Sequence, residues 1–202
     1  MQSNLSDQKC RCDWCLGFDA YIRYHDEEWG VPVWDDKKQF EFLILESAQA
    51  GLSWSTILKK RSGYHNAFNA FDYKQVALFS ETDIQRLLKD QNIIRNELKI
   101  RAAVNNASRF MEIQAAFGSF CNYIWDFVDG VPIQNEWKTI QEIPPNNVLS
   151  DKLSKDLKQR GFKFLGSTTI YAHMQATGLV NDHLMHCWRY EVVKNLDSAK
   201  KG

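Results

Sequence analysis

The 202-residue sequence carries 25 basic and 25 acidic side chains, so its formal net charge is zero. This balance excludes a global basic field that attracts nucleic acid, and any such contact must come from local patches. Five cysteines, an odd number, in a chain without secretion features argue against a disulfide framework and favour metal binding or inert thiols. No apolar run approaches the length of a membrane span, and the first fifteen residues lack a signal-peptide core, so we expect a cytoplasmic protein with no membrane partner.

Helical periodicity recurs along the chain, whereas a sustained alternation of apolar and polar residues is absent from the sequence, so we predict an all-α fold. The length fits a single domain over residues 1–202. The polar residues 1–9 and the charged segment 194–202 are expected to be flexible tails. We also expect the protein to be a monomer.

The first strong helix is predicted to begin at Asp35 or Asp36 and to bury one stripe, formed by Phe40, Leu43, Ile44, Ser47 and Ala48. Gly51-Leu52-Ser53 breaks this helix, and Ser53 is expected to cap the next one. Later helices are predicted after a capping box of Ser80 and Asp83, over about residues 97–117, and from Phe120 to near Gly130. Residues 131–149 hold three of the four prolines and are interpreted as a connecting loop.

The stretch from Leu153 to Gly178 is predicted to form two helices joined by a short hairpin. Gly161 fits a helix C-terminus, Gly166 allows close approach of a backbone, and Ser167 is expected to cap the second helix. A helix N-terminus of this kind offers bare N–H groups to a phosphate. The hairpin is flanked by basic side chains at Lys155, Lys158, Arg160 and Lys163, and a second basic patch is expected at Lys59, Lys60 and Arg61.

Two segments at opposite ends of the chain are rich in metal ligands. His183 and Cys187 are four residues apart, so on a helix they share a face and supply half of a tetrahedral site. The N-terminal segment supplies the other half from Cys10, Cys12, Cys15 and His25. The spacing leaves open whether Cys15 or His25 is the fourth ligand, and it leaves open a set of buried thiols with no metal.

Glu46 is unusual because it lies at the edge of an otherwise apolar helix face. One interpretation is a carboxylate that reaches solvent or pairs with an arginine. The other is a partly buried acid in an aromatic pocket, since several aromatic residues lie close in sequence to Glu46 or to the metal ligands; these are Trp14, Tyr21, Tyr24, Trp29 and Trp54.

With these motifs in view, the sequence resembles the DNA-3-methyladenine glycosylase I family of the helix–hairpin–helix superfamily. The similarity covers about residues 12–190. It rests on Cys12-Asp13-Trp14, YHDEEWGVP at 24–32, LESAQAGLSW at 45–54, LKKR at 58–61, GFKFLGSTTIYAHMQATGLVNDH at 161–183, and Cys187.

The resemblance implies a base-excision repair enzyme that hydrolyses the N-glycosidic bond of 3-methyladenine in double-stranded alkylated DNA. It implies structural zinc on Cys12, His25, His183 and Cys187, with Cys10 and Cys15 as spectators. It assigns base recognition and catalysis to Glu46, with Trp14, Tyr21, Tyr24, Trp29 and Trp54 as the other base-binding residues. It also implies that Gly51 and Leu52 fill the gap in the DNA, and that the hairpin, with Lys163, Gly166 and Ser167, holds the DNA backbone.

Two alternatives accompany this interpretation. A helix–hairpin–helix module that binds damaged DNA without catalysis needs only the hairpin and its basic residues. A zinc deaminase is suggested by His25-Asp26-Glu27 and Cys12-x2-Cys15, but the order of these motifs is reversed and the expected sheet is absent. Asp182 falls near the catalytic aspartate of many helix–hairpin–helix glycosylases, but it lies beside His183, and the family resemblance gives it no catalytic role.

Overall fold

The computed structural model describes residues 9–196, so the outer parts of both predicted tails, 1–8 and 197–202, lie outside the described residues. The described chain is mainly helical, which confirms the all-α class. Its α-helices are α1 (Asp19–Glu27), α2 (Asp36–Gln49), α3 (Trp54–Ala67), α4 (Tyr73–Val76), α5 (Glu81–Lys89), α6 (Glu97–Phe117), α7 (Phe120–Asp126), α8 (Val148–Gln159), α9 (Ser167–Ala176) and α10 (Trp188–Lys194). No helix within residues 9–196 is long and apolar enough to cross a membrane.

Short irregular elements connect the helices. Single 3-10 turns lie at Asp13–Cys15, Asn69–Phe71 and Ile140–Glu142. Two-residue strands, β1 (Ile133–Gln134) and β2 (Val180–Asn181), pair in parallel with Ile133 opposite Val180. The predicted loop at 131–149 therefore contains β1 and one 3-10 turn, and α7 ends at Asp126 rather than near Gly130.

Several helix starts follow the local sequence signals. The Asp35 carboxylate accepts from the Lys38 N–H at 2.7 Å, and Ser53 caps α3 as predicted. Ser80 and Asp83 form the predicted reciprocal capping box of α5. These caps fix where α2, α3 and α5 begin.

Helix α2 lies at the centre of the core. Its predicted stripe is buried throughout, and it packs against α3, α6, α7 and α9. The N-terminus of α7 is tied to it, because the Asp36 carboxylate accepts from the N–H groups of Phe120 and Cys121 at 2.9 and 2.8 Å. Helix α2 therefore contacts four other helices, and its first residue is hydrogen-bonded directly to the start of α7.

Helices α8 and α9 form the predicted hairpin. Gly161 has a φ of +86° just after α8, and Phe162 and Leu165 are buried beneath the turn. Asn106 of α6 holds the turn from below, since its amide exchanges two 2.9 Å hydrogen bonds with the backbone of Lys163. The hairpin is thus fixed to the core on its inner side.

Two local predictions are wrong. Ser167 does not cap α9; Gly166 is the N-cap residue with an extended backbone, and the Ser167 hydroxyl bonds instead to the Ser150 hydroxyl at 2.8 Å. His183 and Cys187 do not lie on a helix either, because α10 begins only after Cys187. The Leu184 N–H bonds to the Cys12 sulfur at 3.4 Å, so this backbone follows a long-range contact rather than a helical pattern.

Candidate active site and metal centre

A cavity of about 190 Å³ lies where α1, α2, α3 and α9 meet. The structure places all six predicted base-binding residues on its lining. The lining consists of Trp14, Tyr21, Tyr24, Trp29, Glu46, Gln49, Trp54, Ile140, Ile143, Ala172 and Gln175. Aromatic rings and a few polar groups therefore surround a space of small-ligand size.

The aromatic side chains support one another. Trp14 packs edge-on against Trp29 with ring centroids 4.9 Å apart, and it contacts Tyr21 at 5.1 Å. Tyr24 contacts Trp54 at 5.3 Å. Because Trp14 comes from a 3-10 turn, Tyr21 and Tyr24 from α1 and Trp54 from α3, three segments of the chain have to pack together to form these walls.

The Glu46 side chain extends from α2 into the cavity lined by these aromatic rings. Its side chain is only 4% exposed, and its Oε2 atom has no hydrogen-bond partner within residues 9–196. Burial raises the pKa of Glu46 to about 8. The interpretation of Glu46 as a solvated or arginine-paired carboxylate is therefore wrong.

Phenols and indoles line the cavity together with Glu46. Burial, and secondly the charge of Glu46, raises the pKa of Tyr24 well above its usual value, so its hydroxyl stays protonated. The Trp54 Nε1–H is also buried without a partner in the described chain. Buried polar groups are nearly always paired in native proteins, so the unpaired atoms of Glu46 and Trp54 indicate a site built for a polar ligand.

Five lining residues were not predicted from the sequence. Gln49 follows Glu46 by three residues on the same helix, so the helical spacing contained a signal for it. Gln175 lies near the end of α9 with nothing in its local sequence to distinguish it. Ile140, Ile143 and Ala172 supply apolar surface, the first two from the segment interpreted as a loop.

The four predicted metal ligands form one buried cluster, in which all four ligand atoms lie within 4.8 Å of one another. The Cys187 sulfur lies 3.4 Å from His25 Nε2 and 3.7 Å from His183 Nδ1, and the Cys12 sulfur lies 3.9 Å from His183 Nδ1. Ligand atoms of a tetrahedral zinc site are separated by roughly 3.3–3.8 Å, given the usual metal–ligand distances. The cluster therefore fits a metal ion.

The second nitrogen of each histidine is also held. His25 Nδ1 lies 2.8 Å from Asp26 Oδ1, and His183 Nε2 lies 2.9 Å from the Trp29 carbonyl oxygen. When the ring nitrogen next to each of these acceptors carries the proton and donates it, the other ring nitrogen has a lone pair directed at the cluster. Metal-binding histidines are typically oriented in this way.

The remaining cysteines of the N-terminal segment lie outside the cluster. Cys15 is buried and its thiol donates to the Cys12 carbonyl at 3.1 Å, while Cys10 is exposed. Of the two candidates that the spacing left open, His25 lies in the cluster and Cys15 does not. The deaminase interpretation is wrong, because Cys15 is not in the cluster and Glu27 is exposed on the protein surface.

The cluster lies directly behind the cavity wall. The Trp29 ring packs edge-on against the His183 ring at 4.6 Å, and the Trp14 ring packs against His25 at 5.3 Å. The same two tryptophans line the cavity. A change in the position of the cluster histidines should therefore also move the tryptophan rings that line the cavity.

The predicted DNA-binding residues lie in two turns. Gly51, with a φ of +82°, and Leu52, which is 41% exposed, form the turn between α2 and α3. Lys163, Gly166 and Ser167 lie in the hairpin, where Lys163 and Gly166 line a cavity of about 530 Å³.

The second predicted basic patch is smaller than expected. Arg61 bonds at 2.7 Å to both Glu28 and Glu41, so its charge is neutralised within the protein. Lys60 donates to the Gln91 carbonyl at 2.7 Å. These pairings depend on residues far away in sequence, which is why the run of three basic residues did not reveal them.

The fold and the site together define a helix–hairpin–helix protein with an aromatic cavity, a buried carboxylate and a Cys/His cluster that joins the two ends of the chain. A sequence model of the methyladenine glycosylase family matches residues 14–190. The chain belongs to the methyladenine glycosylase family.

Individual relatives agree with this assignment. The chain is 47% identical over 180 residues to DNA-3-methyladenine glycosylase 1 of Escherichia coli, covering 89% of this chain and 96% of the relative. It is 44% identical to DNA-3-methyladenine glycosylase of Haemophilus influenzae, covering 88% and 96%. The structure of 3-methyladenine DNA glycosylase I from Staphylococcus aureus, solved to study 3-methyladenine recognition, matches with a TM-score of 0.86 at 39% identity, covering 89% and 96%.

Proposed function

We propose that this chain is a monofunctional DNA glycosylase of base-excision repair. It flips 3-methyladenine out of alkylated double-stranded DNA and hydrolyses the N-glycosidic bond, leaving an abasic site. Family membership and the activity named for the relatives support this proposal. The observation in this chain that carries it is Glu46, a buried carboxyl group with an unpaired oxygen inside an aromatic cavity.

The chemistry of the lesion explains such a cavity. A base in a duplex is unreachable, so the nucleotide is extruded at a cost of a few kcal/mol, which a damaged base lowers. Methylation at N3 leaves the adenine ring cationic, and the leaving group then departs as a neutral molecule. The enzyme therefore has to hold a cation and needs no strong general acid.

The aromatic walls and Glu46 share this task. Each good cation–π contact with a wall residue contributes about 0.5–2 kcal/mol. The positive charge of the bound ring favours the ionised form of Glu46 over the protonated form that burial favours in the free protein. The resulting carboxylate accepts a hydrogen bond from the exocyclic amino group and neutralises the ring charge. Neutral adenine gains less from both interactions and is a poor leaving group, so selection occurs in binding and in bond cleavage.

The two exposed turns bind the DNA. The first N–H groups of α9 have no intrahelical acceptor, and together with Lys163 they bind a backbone phosphate. Gly51 and Leu52 occupy the space that the flipped base leaves in the duplex. Such backbone contacts carry no sequence information, so they suit an enzyme that searches all DNA.

The Cys/His cluster is proposed to hold one structural zinc ion on Cys12, His25, His183 and Cys187. Four protein ligands of this kind make a closed site, and the metal supplies cross-linking rather than chemistry at the base. We further propose that residues 1–202 form a single domain that acts as a monomer. We propose the cytoplasm as its location, in keeping with a DNA substrate and bacterial relatives.

A base-release assay separates the enzyme from a binding module. Methylated duplex DNA is incubated with the protein, and the released bases and abasic sites are measured. We expect stoichiometric appearance of free 3-methyladenine and abasic sites, with Glu46→Gln slower than the parent. Tight binding to the methylated DNA without any release of base would favour the non-catalytic module.

The hairpin can be tested by Gly166→Ala. A Cβ atom at Gly166 meets no atom within 4 Å, so the variant is expected to melt like the parent. If a phosphate approaches this backbone, the added methyl group should lower affinity for abasic-site DNA at least about tenfold, uniformly across DNA sequences. Filter binding or fluorescence anisotropy measures this.

The matched control is Gly17→Ala, whose Cβ also has room, with its nearest neighbour 3.9 Å away. No part of the proposed DNA surface includes Gly17, so this variant should bind DNA normally. Parent-like DNA affinity in Gly166→Ala would contradict the role of the hairpin. Removing Lys163 should weaken binding in the same uniform way, without unfolding the protein.

A further inference from the structure

Gln175 is a polar residue of the cavity lining that does not belong to the aromatic cluster. It lies in the last turn of α9, and its backbone carbonyl accepts from the Gly30 N–H at 3.0 Å. Its side-chain Nε2 donates to Asp182 Oδ2 at 2.7 Å. The amide of Gln175 therefore connects the cavity to a buried acid.

Asp182 is 1% exposed and surrounded by donors. Its Oδ1 accepts from Asn135 Nδ2 at 2.6 Å and from Trp137 Nε1 at 2.8 Å. Its Oδ2 accepts from the Tyr171 hydroxyl and from Gln175, both at 2.7 Å. A carboxylate has about four acceptor positions, so all of them are used, and Asp182 is not arranged to deprotonate a water molecule.

This network fixes the orientation of the Gln175 amide. Because Asp182 can only accept, the NH₂ group of Gln175 has to face it, and the carbonyl Oε1 is left on the opposite side of the amide. Within residues 9–196, no donor contacts that oxygen. The hydrogen bond to an anion also polarises the amide, which increases the negative charge on Oε1.

We propose that Gln175 is a specificity-determining residue that presents its carbonyl oxygen to the flipped base, and that Asp182 is the positioning residue that holds the amide in this orientation. The inference rests on the proposed function of the cavity. The ligand class is a cationic purine whose edge carries N–H or polarised C–H groups. A purine that presents an acceptor at the same place is disfavoured by repulsion.

The roles of the two residues differ in kind. Asp182 holds together β2, α9 and the segment around Trp137, so its loss affects stability as well as binding. The Gln175 side chain is only partly buried, and its backbone bond to Gly30 does not depend on the amide. An isosteric apolar replacement at Gln175 therefore keeps this backbone bond and removes two side-chain interactions, the bond to Asp182 and the proposed bond to the ligand. Melting measures the first effect and ligand binding measures the second.

The test is Gln175→Met, with binding of free 3-methyladenine measured by titration calorimetry on the metal-loaded protein. We expect a lower melting temperature, because Asp182 loses one of its four donors, and an affinity lowered roughly tenfold at a temperature where the variant is fully folded, the effect of one hydrogen bond to a positively polarised partner. The matched control is Gln85→Met on the exposed face of α5, which should bind as the parent does. Parent-like affinity in Gln175→Met would overturn the inference.

A double-mutant cycle tests the positioning role of Asp182. Asp182→Asn alone should weaken base binding several-fold, yet it should cause no further loss in the Gln175→Met background. Its effect on melting should be smaller in the Gln175→Met background, because the bond between Gln175 and Asp182 is already absent there, but it should persist, since the contacts with Asn135, Trp137 and Tyr171 do not involve Gln175. Equal losses of base affinity in both backgrounds would overturn the coupling.

Failure of this inference is distinguishable from failure of the proposed function. A parent protein that does not bind 3-methyladenine overturns both. A parent that binds, together with a Gln175→Met variant that binds equally well, overturns the inference alone. If Asp182→Asn does not fold, Gln175→Met still decides the outcome by itself.

Discussion

Loss of one metal ligand is expected to release the metal and to destabilise the whole protein. In Cys12→Ser and His183→Ala we expect a zinc content well below one per chain and a loss of several kcal/mol in the free energy of unfolding. The reason is that the free energy of binding a structural zinc ion contributes directly to the stability of the folded state. The cluster joins residues 12 and 25 to 183 and 187, so it closes a loop that includes most of the chain. Elemental analysis and thermal melting measure both effects.

The control is Cys15→Ser, three residues from Cys12. The Cys15 thiol is buried and donates to the Cys12 carbonyl, a bond that a serine hydroxyl can also make, and it lies outside the cluster. This variant should keep its metal and most of its stability. Full zinc retention with unchanged melting in both Cys12→Ser and His183→Ala would contradict the metal assignment.

The metal has a local consequence as well. The rings of Trp14 and Trp29 pack on His25 and His183, so chelation should loosen the cavity wall before it unfolds α2. Hydrogen exchange after mild chelation should therefore increase in residues 12–30 and 180–190 together. These two regions are far apart in sequence but share one cluster.

Glu46→Gln is expected to bind the base less tightly and yet to be more stable than the parent. Burial raises the pKa of Glu46 from 4.5 to about 8 in the folded protein. The folded state therefore holds its proton more tightly than the unfolded state does. At pH 7, about 2.5 pH units above its unfolded pKa, this carboxyl group is ionised in the unfolded chain, whereas in the folded protein it largely keeps its proton. This difference lowers the free energy of unfolding by on the order of 3 kcal/mol. A glutamine side chain at this position has no such cost.

The sign of the pH dependence follows from the same values. For a carboxyl group whose folded pKa is raised, its contribution to stability is fully present below about pH 4.5 and is lost as the pH rises to about 8. The stability difference between Glu46→Gln and the parent should thus be small at pH 4.5 and largest at pH 8. Urea denaturation at both pH values measures it, with Glu27→Gln on the surface as a control that shows no such change.

Base binding should change in the opposite direction. The glutamine keeps the shape and one acceptor but loses the charge, so affinity for free 3-methyladenine should fall by on the order of 1 kcal/mol or more. Excision should slow by less than for a true general acid or base, since the cationic leaving group does most of the chemistry. A Glu46→Gln variant that fails to fold would indicate a structural carboxylate instead.

Much of this arrangement could be predicted from local sequence. Capping residues such as Asp35 and Ser53 accept hydrogen bonds from backbone N–H groups three residues later, so the starts of α2 and α3 could be predicted from the local sequence. The position of Glu46 at the edge of an apolar helix face marked it as unusual but left two interpretations open, and only its burial in the structure decides between them. Family motifs selected His25 over Cys15, which spacing alone could not do.

The errors share one physical cause, which is that long-range contacts overrode local signals. The hydroxyl of Ser167 is taken by Ser150 of the preceding helix, so it does not cap α9. Arg61 is paired with Glu28, thirty-three residues earlier, so it adds no free charge to the surface. The Gln175 amide is oriented by Asp182 on another element, and no local pattern could have indicated this.

The most direct test of the central claim is a crystal structure of the metal-loaded protein soaked with free 3-methyladenine. We expect the base inside the cavity, flanked by the rings of Trp14 and Trp54, with its exocyclic amino group within 3.2 Å of a Glu46 oxygen, roughly the outer limit of a hydrogen bond. An empty cavity at saturating ligand, or a base bound elsewhere on the protein, would contradict the account.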